Sequence, residues 1–551
     1  MATVARRSAS THEVLNQPPP LEDYNPFDAD RALAEALRRE GAEWAEERAR
    51  ELGAIAGSHQ TIRWGFEANE KLPVLHTHDR YGHRIDEVEF DSSWHELMRI
   101  GIGHGLHASP WREPGPGAHV ARAAMFMLLM QAESGVGCPI SMTYSVIPAL
   151  RRQPDVAEEW EPRILSLDYD ERPIPTERKR GAICGMWLTE KQGGSDVRAN
   201  TTRARRLATG EYALTGHKWF CSAPMCDAFL VLAQAEGGLS CFLLPRRTPD
   251  GERNAFRIQR LKDKMGNRSN ALAEVELDGA WARMVGEEGR GVRTIIEMVN
   301  HTRLDCMIGA ATGFRAGVVQ ALHHTAHRSA FGRELIEQPL MRNVLADLCV
   351  ESEAATVAAM RLARAYDESA AGDEEATAFK RIATAVLKYW TTKRGPAHAG
   401  ECLECLGGNG FIEESGMPRL FRESPLNSVW EGSGNVQCLD VLRAMVKSPA
   451  TVDAFFAEIE AGAGAEPRLD AFAAELRAEL PGDIETIESR ARRVVEKMAL
   501  ALQASLLVRH GDPAVADAFC ASRLSGDWGV NFGTLPAGTD FTRIIERHRP
   551  A

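Results

Sequence analysis

The chain has 551 residues, enough for several domains, and its 44% hydrophobic and 26% charged content is that of an ordinary globular protein. Its 65 Lys and Arg stand against 77 Asp and Glu, a net charge of −12 that gives no general attraction to nucleic acid or an anionic membrane surface. No apolar run approaches the ~20 residues that cross a bilayer, so membrane partners are not expected.

The first twenty residues are polar and proline-rich. They lack the apolar core of a secretory signal, and Arg6, Arg7, Ser8 and Ser10 are soon followed by Glu13, Glu22 and Asp23, which leads to the expectation of a cytoplasmic protein. Asp28 and Asp30 are N-cap candidates for a helical stretch over Arg31–Leu52. Ala118–Glu133 is apolar on every side, the pattern of a buried helix, with Met125, Met127 and Met130 as core filling. His104 and His107 have a metal-like spacing but no third ligand, which favours a packing role. From about Gly181 to Gly286 the texture changes to short strands separated by Gly, Asp and Asn; Ala271–Leu277 alternates, with Ala271, Ala273, Val275 and Leu277 on one side.

Helical periodicity returns from about Val292, with Val292–Arg328, Met341–Asp367 and Ala376–Lys393 as the long members of a bundle and a shorter helix before Lys447. Cys402 and Cys405 have the CxxC spacing but neither a second ligand pair nor a βαβ setting, so packing is the expectation for both thiols. After Ser448-Pro449 come a loop over Ala461–Pro467 and a strong helix over Ile484–Arg509.

Four segments carry residue types that packing alone does not call for. Met186-Trp187-Leu188-Thr189-Glu190-Lys191-Gln192-Gly193-Gly194-Ser195-Asp196 combines hydroxyls with glycines that let backbone N–H groups approach an anion; a polar turn is the alternative. Lys218-Trp219-Phe220-Cys221-Ser222 sets an indole beside small polar groups, as a wall for a flat ring system or as a strand with one buried Trp. Gly407-Gly408-Asn409-Gly410-Phe411 implies a tight backbone approach or a helix-ending turn. Val429-Trp430-Glu431-Gly432-Ser433-Gly434-Asn435 places one carboxylate on a glycine-flanked loop, where apolar neighbours would raise its pKa as a proton-abstracting base requires; a solvated surface Glu is the alternative.

In this order, on a helix–strand–helix layout, the segments resemble the acyl-CoA dehydrogenase family over roughly residues 30 to 447. The first looks like the TExxxGSD signature. The third, with Glu414, Arg419 and Glu423, looks like the second signature, departing from it at Glu404 where Gln is usual. His327-Arg328-Ser329-Ala330-Phe331-Gly332 looks like the RxxFG motif. The resemblance implies a mainly helical α+β fold: a helical domain (1–180), a middle β-barrel (181–290) and a four-helix bundle (291–447), here with an added C-terminal helical domain (448–551).

It also implies FAD between barrel and bundle, and a homotetramer. Met186, Leu188, Thr189, Gly194 and Ser195 would then contact flavin and pyrophosphate, and Trp219 and Phe220 would lie against the isoalloxazine with Cys221 and Ser222 at its reactive edge. Arg328, Phe331, Gly407 and Gly408 would hold the adenine half across a subunit interface. Val429, Trp430, Gly432, Ser433, Gly434 and Asn435 would flank the cofactor around Glu431, the base that removes the α-proton of an acyl thioester while the β-hydride passes to flavin N5.

Departures from the common pattern point to the alkylation-response (AidB-like) branch. They are Trp430 for Tyr, Ser433 for Thr, Cys221 for Thr, and the Leu15–Leu21 and Leu261–Asn270 segments. A thiol is a weaker donor than a hydroxyl, which would leave Ser222 to substitute for Cys221. In that branch dehydrogenase turnover is weak and DNA binding is proposed. Here residues 448–551 carry 11 Lys and Arg against 16 Asp and Glu. Arg490, Arg493 and Lys497 share one helical face, and a solvated face paired with Glu488 and Glu496 is the expectation over a phosphate-binding patch. Arg443 is a candidate contact to substrate or nucleic acid.

Overall fold

The computed structural model describes residues 11–480 and 484–550, with side chains for all of these but 484–486. Arg6, Arg7, Ser8 and Ser10 lie outside the described residues. The first region is helical: α1 (Arg31–Arg39), α2 (Glu46–Ala56), α3 (His59–Glu70), α4 (Ser92–Gly103), α5 (Ser109–Arg112), α6 (Ala118–Ala132), α7 (Gly137–Leu150) and α8 (Pro154–Ile164). Asp30 caps α1 by accepting from the backbone N–H of Leu33 at 3.0 Å. The single helix expected over Arg31–Leu52 is two, because the chain turns at Gly41, whose φ of 89° a side chain would resist. A hairpin of β1 (Val74–His78) and β2 (Arg84–Glu89) stands between α3 and α4 and had no signal strong enough to be expected. α6 is buried on every face except at Gln131. His104 and His107 bond to the carbonyls of Ile100 and Ser166, which is a packing role.

The middle region is a closed barrel. Strand β6 (Ala228–Ala235) pairs on one edge with β3 (Cys184–Trp187) and, further along, with β4 (Arg203–Arg206); β4 pairs with β5 (Tyr212–Ser222), β5 with β9 (Leu272–Val285), β9 with β7 (Gly238–Pro245), and β7 returns to β6. β8 (Phe256–Leu261) extends the same edge of β9. Closure leaves no long unpaired edge within the ring, and Phe229, Phe242, Phe256, Leu230 and Val231 fill the core almost without exposure.

The bundle has α9 (Gly291–His327), α10 (Pro339–Ala370), α11 (Glu374–Cys405), the short α12 (Met417–Glu423) and α13 (Gly434–Lys447). The third long helix runs twelve residues past the Lys393 end expected from sequence, carrying Pro396 inside it. Cys402 and Cys405 sit on its last turns with both thiols buried. Beyond it, α14 (Ala450–Glu460), α15 (Pro467–Glu479), α16 (Ile484–His510), α17 (Pro513–Phe519) and α18 (Phe541–His548) pack chiefly against α10 and α11.

Candidate active site

Glu431 sits on the turn that leads into α13. Its φ of 56° lies in the left-handed region, which a non-glycine residue holds only when its surroundings over-determine it. Here they do. The Lys388 ammonium, buried on α11, donates to the carbonyls of Trp430 and Gly432, each at 2.8 Å. Arg303 Nε donates to the Glu431 carbonyl at 2.9 Å, and Gln437 Nε2 donates to the carbonyls of Glu431 and Gly432 at 3.1 and 2.9 Å. Arg303 is itself fixed by Asp440 at 2.9 Å.

With three successive carbonyls turned inward, the half-buried Glu431 carboxyl projects toward α9, where Thr302 Oγ1 donates to Oε2 at 2.9 Å. Desolvation raises the Glu431 pKa above its ordinary value, against the pull of Thr302, Lys388 and Arg303. A solvated surface Glu would not have these neighbours.

The end of β5 lies beside this loop. A bulge between Lys218 and Cys221 interrupts the register with β9 and sets which side chains face outward. Lys218 points into the barrel interior and pairs with Glu190 at 2.9 Å, both side chains fully buried. Trp219 is half-buried, with the Lys262 ammonium 3.6 Å from its ring centroid, and Phe220 is half exposed. Cys221 is completely buried, and burial pushes its thiol well up. Beyond the bulge Cys221 has no exposed surface and lies within electrostatic reach of Lys218 and Lys262. Ser222 takes the outward position. Its Oγ lies 2.9 Å from Cys138 Sγ on α7 and accepts from Asn270 Nδ2 at 3.0 Å. Burial raises the Cys138 thiol to about 11, with Ser222 and the Glu431 charge also acting on it, so strand end and carboxylate share one locality.

Met186 is buried at the end of β3, and Leu188 and Thr189 are half-buried just beyond it. Gly193, Gly194 and Ser195 are exposed. A Cβ on Gly194 would stand 2.4 Å from Thr189 Oγ1, so the close approach requires glycine. Glu190 anchors this loop from inside the barrel: it accepts from Lys218, Gln192 and the backbone of Thr201 and Thr202.

Around Glu431, Val429 is exposed, Trp430 half-buried and Gly434 buried, with Ser433 and Asn435 exposed at the start of α13. Asn435 accepts from Arg492 Nε of α16 at 2.8 Å, which brings the added C-terminal region to this loop. Arg443 is exposed and 3.6 Å from Asp440. Arg328, Phe331, Gly407 and Gly408 form a second group, on the turn after α9 and the turn after α11. Phe331 is 98% exposed with φ 53°, and nothing stands within 4 Å of a Cβ on Gly407 or Gly408. Among the described residues no hydrogen bond joins this group to the Glu431 group.

Thr302, Arg303, Lys388 and Gln437 stand outside the four segments that the sequence marks. Their signal was polar side chains on otherwise buried helix stripes, as with Lys388 between Leu387 and Tyr389.

Comparison with known proteins matches this sequence and fold to one family. Residues 16–171 match the Adaptive response protein AidB N-terminal domain, 185–280 the acyl-CoA dehydrogenase middle domain and 289–446 the acyl-CoA dehydrogenase C-terminal domain. The chain is 43% identical over 525 residues to the putative acyl-CoA dehydrogenase AidB of Escherichia coli K12, covering 94% of this chain and 96% of that protein.

The chain belongs to the acyl-CoA dehydrogenase family.

Acyl-CoA dehydrogenase family member 11 of Caenorhabditis elegans is 30% identical over 513 residues, covering 89% of this chain and 79% of that one. A solved structure of C. elegans ACDH-11 in complex with C11-CoA superposes with a TM-score of 0.86 at 27% identity, covering 95% of each chain. The family is one of oxidoreductases, and this chain carries its helical, barrel and bundle architecture with further helices after the bundle.

Proposed function

We propose that the protein is an FAD-dependent acyl-CoA dehydrogenase-type oxidoreductase in which Glu431 removes the α-proton of an acyl thioester. The observation that carries this reading is the carboxylate itself: half-buried, raised in pKa by desolvation, and held on a left-handed turn by donors from α9, α11 and α13. The residues present suit a flavin nucleotide. The hydroxyls of Thr189 and Ser195, the exposed glycines 193 and 194, the indole of Trp219 and Ser222 Oγ offer hydrogen bonds and a flat wall at the barrel end, and the open Gly407-Gly408 turn leaves room for close backbone approach.

Bound FAD would supply the two-electron acceptor, taking the β-hydride at N5. The chain's own part is to orient the thioester, exclude water and hold the proton on Glu431. The N–H groups of Glu431 and Gly432 have no hydrogen-bond acceptor among the described residues; with the carbonyls turned inward, they are left to polarise a thioester carbonyl. The relative solved with C11-CoA supports an acyl-CoA as substrate class.

The four-part division at 180, 290 and 447 belongs to this reading, as does a homotetramer. The nearly full exposure of Phe331, with Leu340 and Phe411 also bare, supports burial of those faces against another copy. Cytoplasmic residence fits the match to a bacterial relative, and no helix among the described residues is long and apolar enough to cross a membrane.

DNA binding, the other role the AidB likeness raises, gains nothing from the basic cluster on α16. Lys497 is paired with Glu475 and Glu479 at 2.6 and 2.7 Å, and Arg493 with Glu479 at 3.5 Å. Both of these partners, Glu475 and Glu479, stand on the facing helix α15, and Glu496 lies within electrostatic reach of Arg493.

The test is anaerobic titration of the purified flavoprotein with a set of acyl-CoA thioesters. One of them should bleach the oxidised flavin band, and Glu431→Gln should slow that bleaching by about 10²–10⁴-fold with flavin content unchanged. Full-rate bleaching by the variant would remove Glu431 as the base.

A further inference from the structure

The segment before α1 is engaged with both turns of the second site group. The Asn16 side chain pairs with the backbone of Ser329 in both directions: Nδ2 donates to the Ser329 carbonyl at 2.8 Å, and Oδ1 accepts the Ser329 N–H at 2.7 Å. Arg328 NH1 donates to the Asn16 carbonyl at 2.7 Å. One residue on, Gln17 Oε1 accepts from Asn409 Nδ2 at 3.0 Å, and the Pro19 carbonyl faces His323 Nε2 at 2.8 Å. Asn16 itself has φ 57°, a conformation Asn tolerates better than other side chains. Fourteen residues before α1, the chain thus ties the turn after α9 to the turn after α11.

We propose that Asn16 and Gln17 are positioning residues of the adenosine-diphosphate end of the cofactor site. This rests on the FAD reading above. An unheld arginine side chain carries several freely rotating bonds, whose freedom is lost when it meets a phosphate. Tied to the Asn16 carbonyl by NH1, Arg328 loses that freedom in advance, while Nε and NH2 stay without a hydrogen-bond partner among the described residues. The Asn16–Ser329 pair fixes the backbone from which Phe331 projects at φ 53°, and the Gln17–Asn409 bond fixes the glycine turn in register with it. A diphosphate with an attached adenosine fits this set: a guanidinium edge, a glycine backbone without side chains, and an exposed aromatic ring.

The experiment compares FAD with FMN, which lacks the adenosine-monophosphate half. Full-length wild type, Asn16→Asp and Asn16→Gly are stripped of flavin and titrated with each nucleotide by flavin fluorescence, alongside thermal melting. Asp keeps the acceptor but loses the donor to the Ser329 carbonyl; Gly keeps the left-handed backbone and loses both bonds. We expect the FAD dissociation constant to be about tenfold higher in Asn16→Asp, the change that goes with one lost hydrogen bond of ordinary net worth, and higher again in Asn16→Gly, which loses both, with FMN binding and melting unchanged. Wild-type FAD affinity in both variants overturns the proposal and leaves the FAD reading standing. Parallel loss of FAD, FMN and melting temperature also overturns it, as a general structural effect. A wild-type chain that binds neither nucleotide removes the cofactor reading and this proposal together.

Discussion

Lys388 shows how one buried charge can organise the loop that carries Glu431. Its pKa is lowered by desolvation, yet its ammonium holds the two carbonyls that flank Glu431. Replacing it with Met leaves the Trp430 carbonyl without a donor and the Gly432 carbonyl with Gln437 alone, a cost of about 1–3 kcal/mol for the group so stranded. It also removes a nearby positive charge, so the Glu431 pKa rises further. The acid limb of a kcat/KM profile for Lys388→Met should therefore move to higher pH, with kcat reduced and KM little changed. An acid limb that stays in place would mean that the cation tunes nothing and only packs. Thr302 and Arg303 act on the same carboxylate from α9, and neither stands within a motif that sequence alone would flag.

Strand β5 decides more than the residues on it. Its alternation puts Lys218 inside the barrel and Trp219 outside, and the bulge that follows returns Cys221 to the interior while leaving Ser222 at the cleft. Simple alternation puts Cys221 on the same side of the strand as Trp219; the extra residue changes which face it takes, and a bulge has no reliable mark in the sequence. The same strand supplies the partner for Glu190. Lys218→Met strands a buried carboxylate and should lower stability by about 3–5 kcal/mol, read from urea unfolding. The double variant Lys218→Met/Glu190→Gln removes the charge and keeps one acceptor oxygen, for Thr201 or Thr202 but not both, and should recover part of that loss. A double variant no more stable than the single one would show that the ion pair itself, rather than the unpaired carboxylate, sets the cost.

The helices after the bundle are keyed to it by buried charge. Arg523 is fully buried between Asp347, at 2.5 Å, and Glu351, at 3.1 Å, both on α10, and Glu351 is also held by Arg394 of α11 at 3.2 Å. Burial works to raise the Glu351 pKa, but the two arginines outweigh it and lower the value from 4.5 to about 2. A depressed carboxylate contributes stability that is present above pH 4.5 and is lost as pH falls through about 2. Acid unfolding should thus steepen in that window, and Glu351→Gln should flatten it. An unchanged acid slope in the variant would place the proton uptake on other groups.

The sequence by itself determined the order of helical, strand and helical regions, the buried α6, the family motifs and the carboxylate on its glycine-flanked loop. These are local: periodicity, composition and short signatures report which residues repeat at 2 or 3.6 and which break the repeat. It did not determine where α1 ends, because Gly41 within a helix-forming run is a weak signal, nor the end of α11, because Pro396 sits inside a helix that its neighbours hold. Only the tertiary structure decided that Lys388, 43 residues before Glu431, is the donor that shapes its loop, that Asn16 meets Arg328, and that Arg492 of the added region reaches Asn435. Each of those contacts joins groups far apart in the chain, and a buried donor or acceptor finds whichever partner the packing brings within 3 Å.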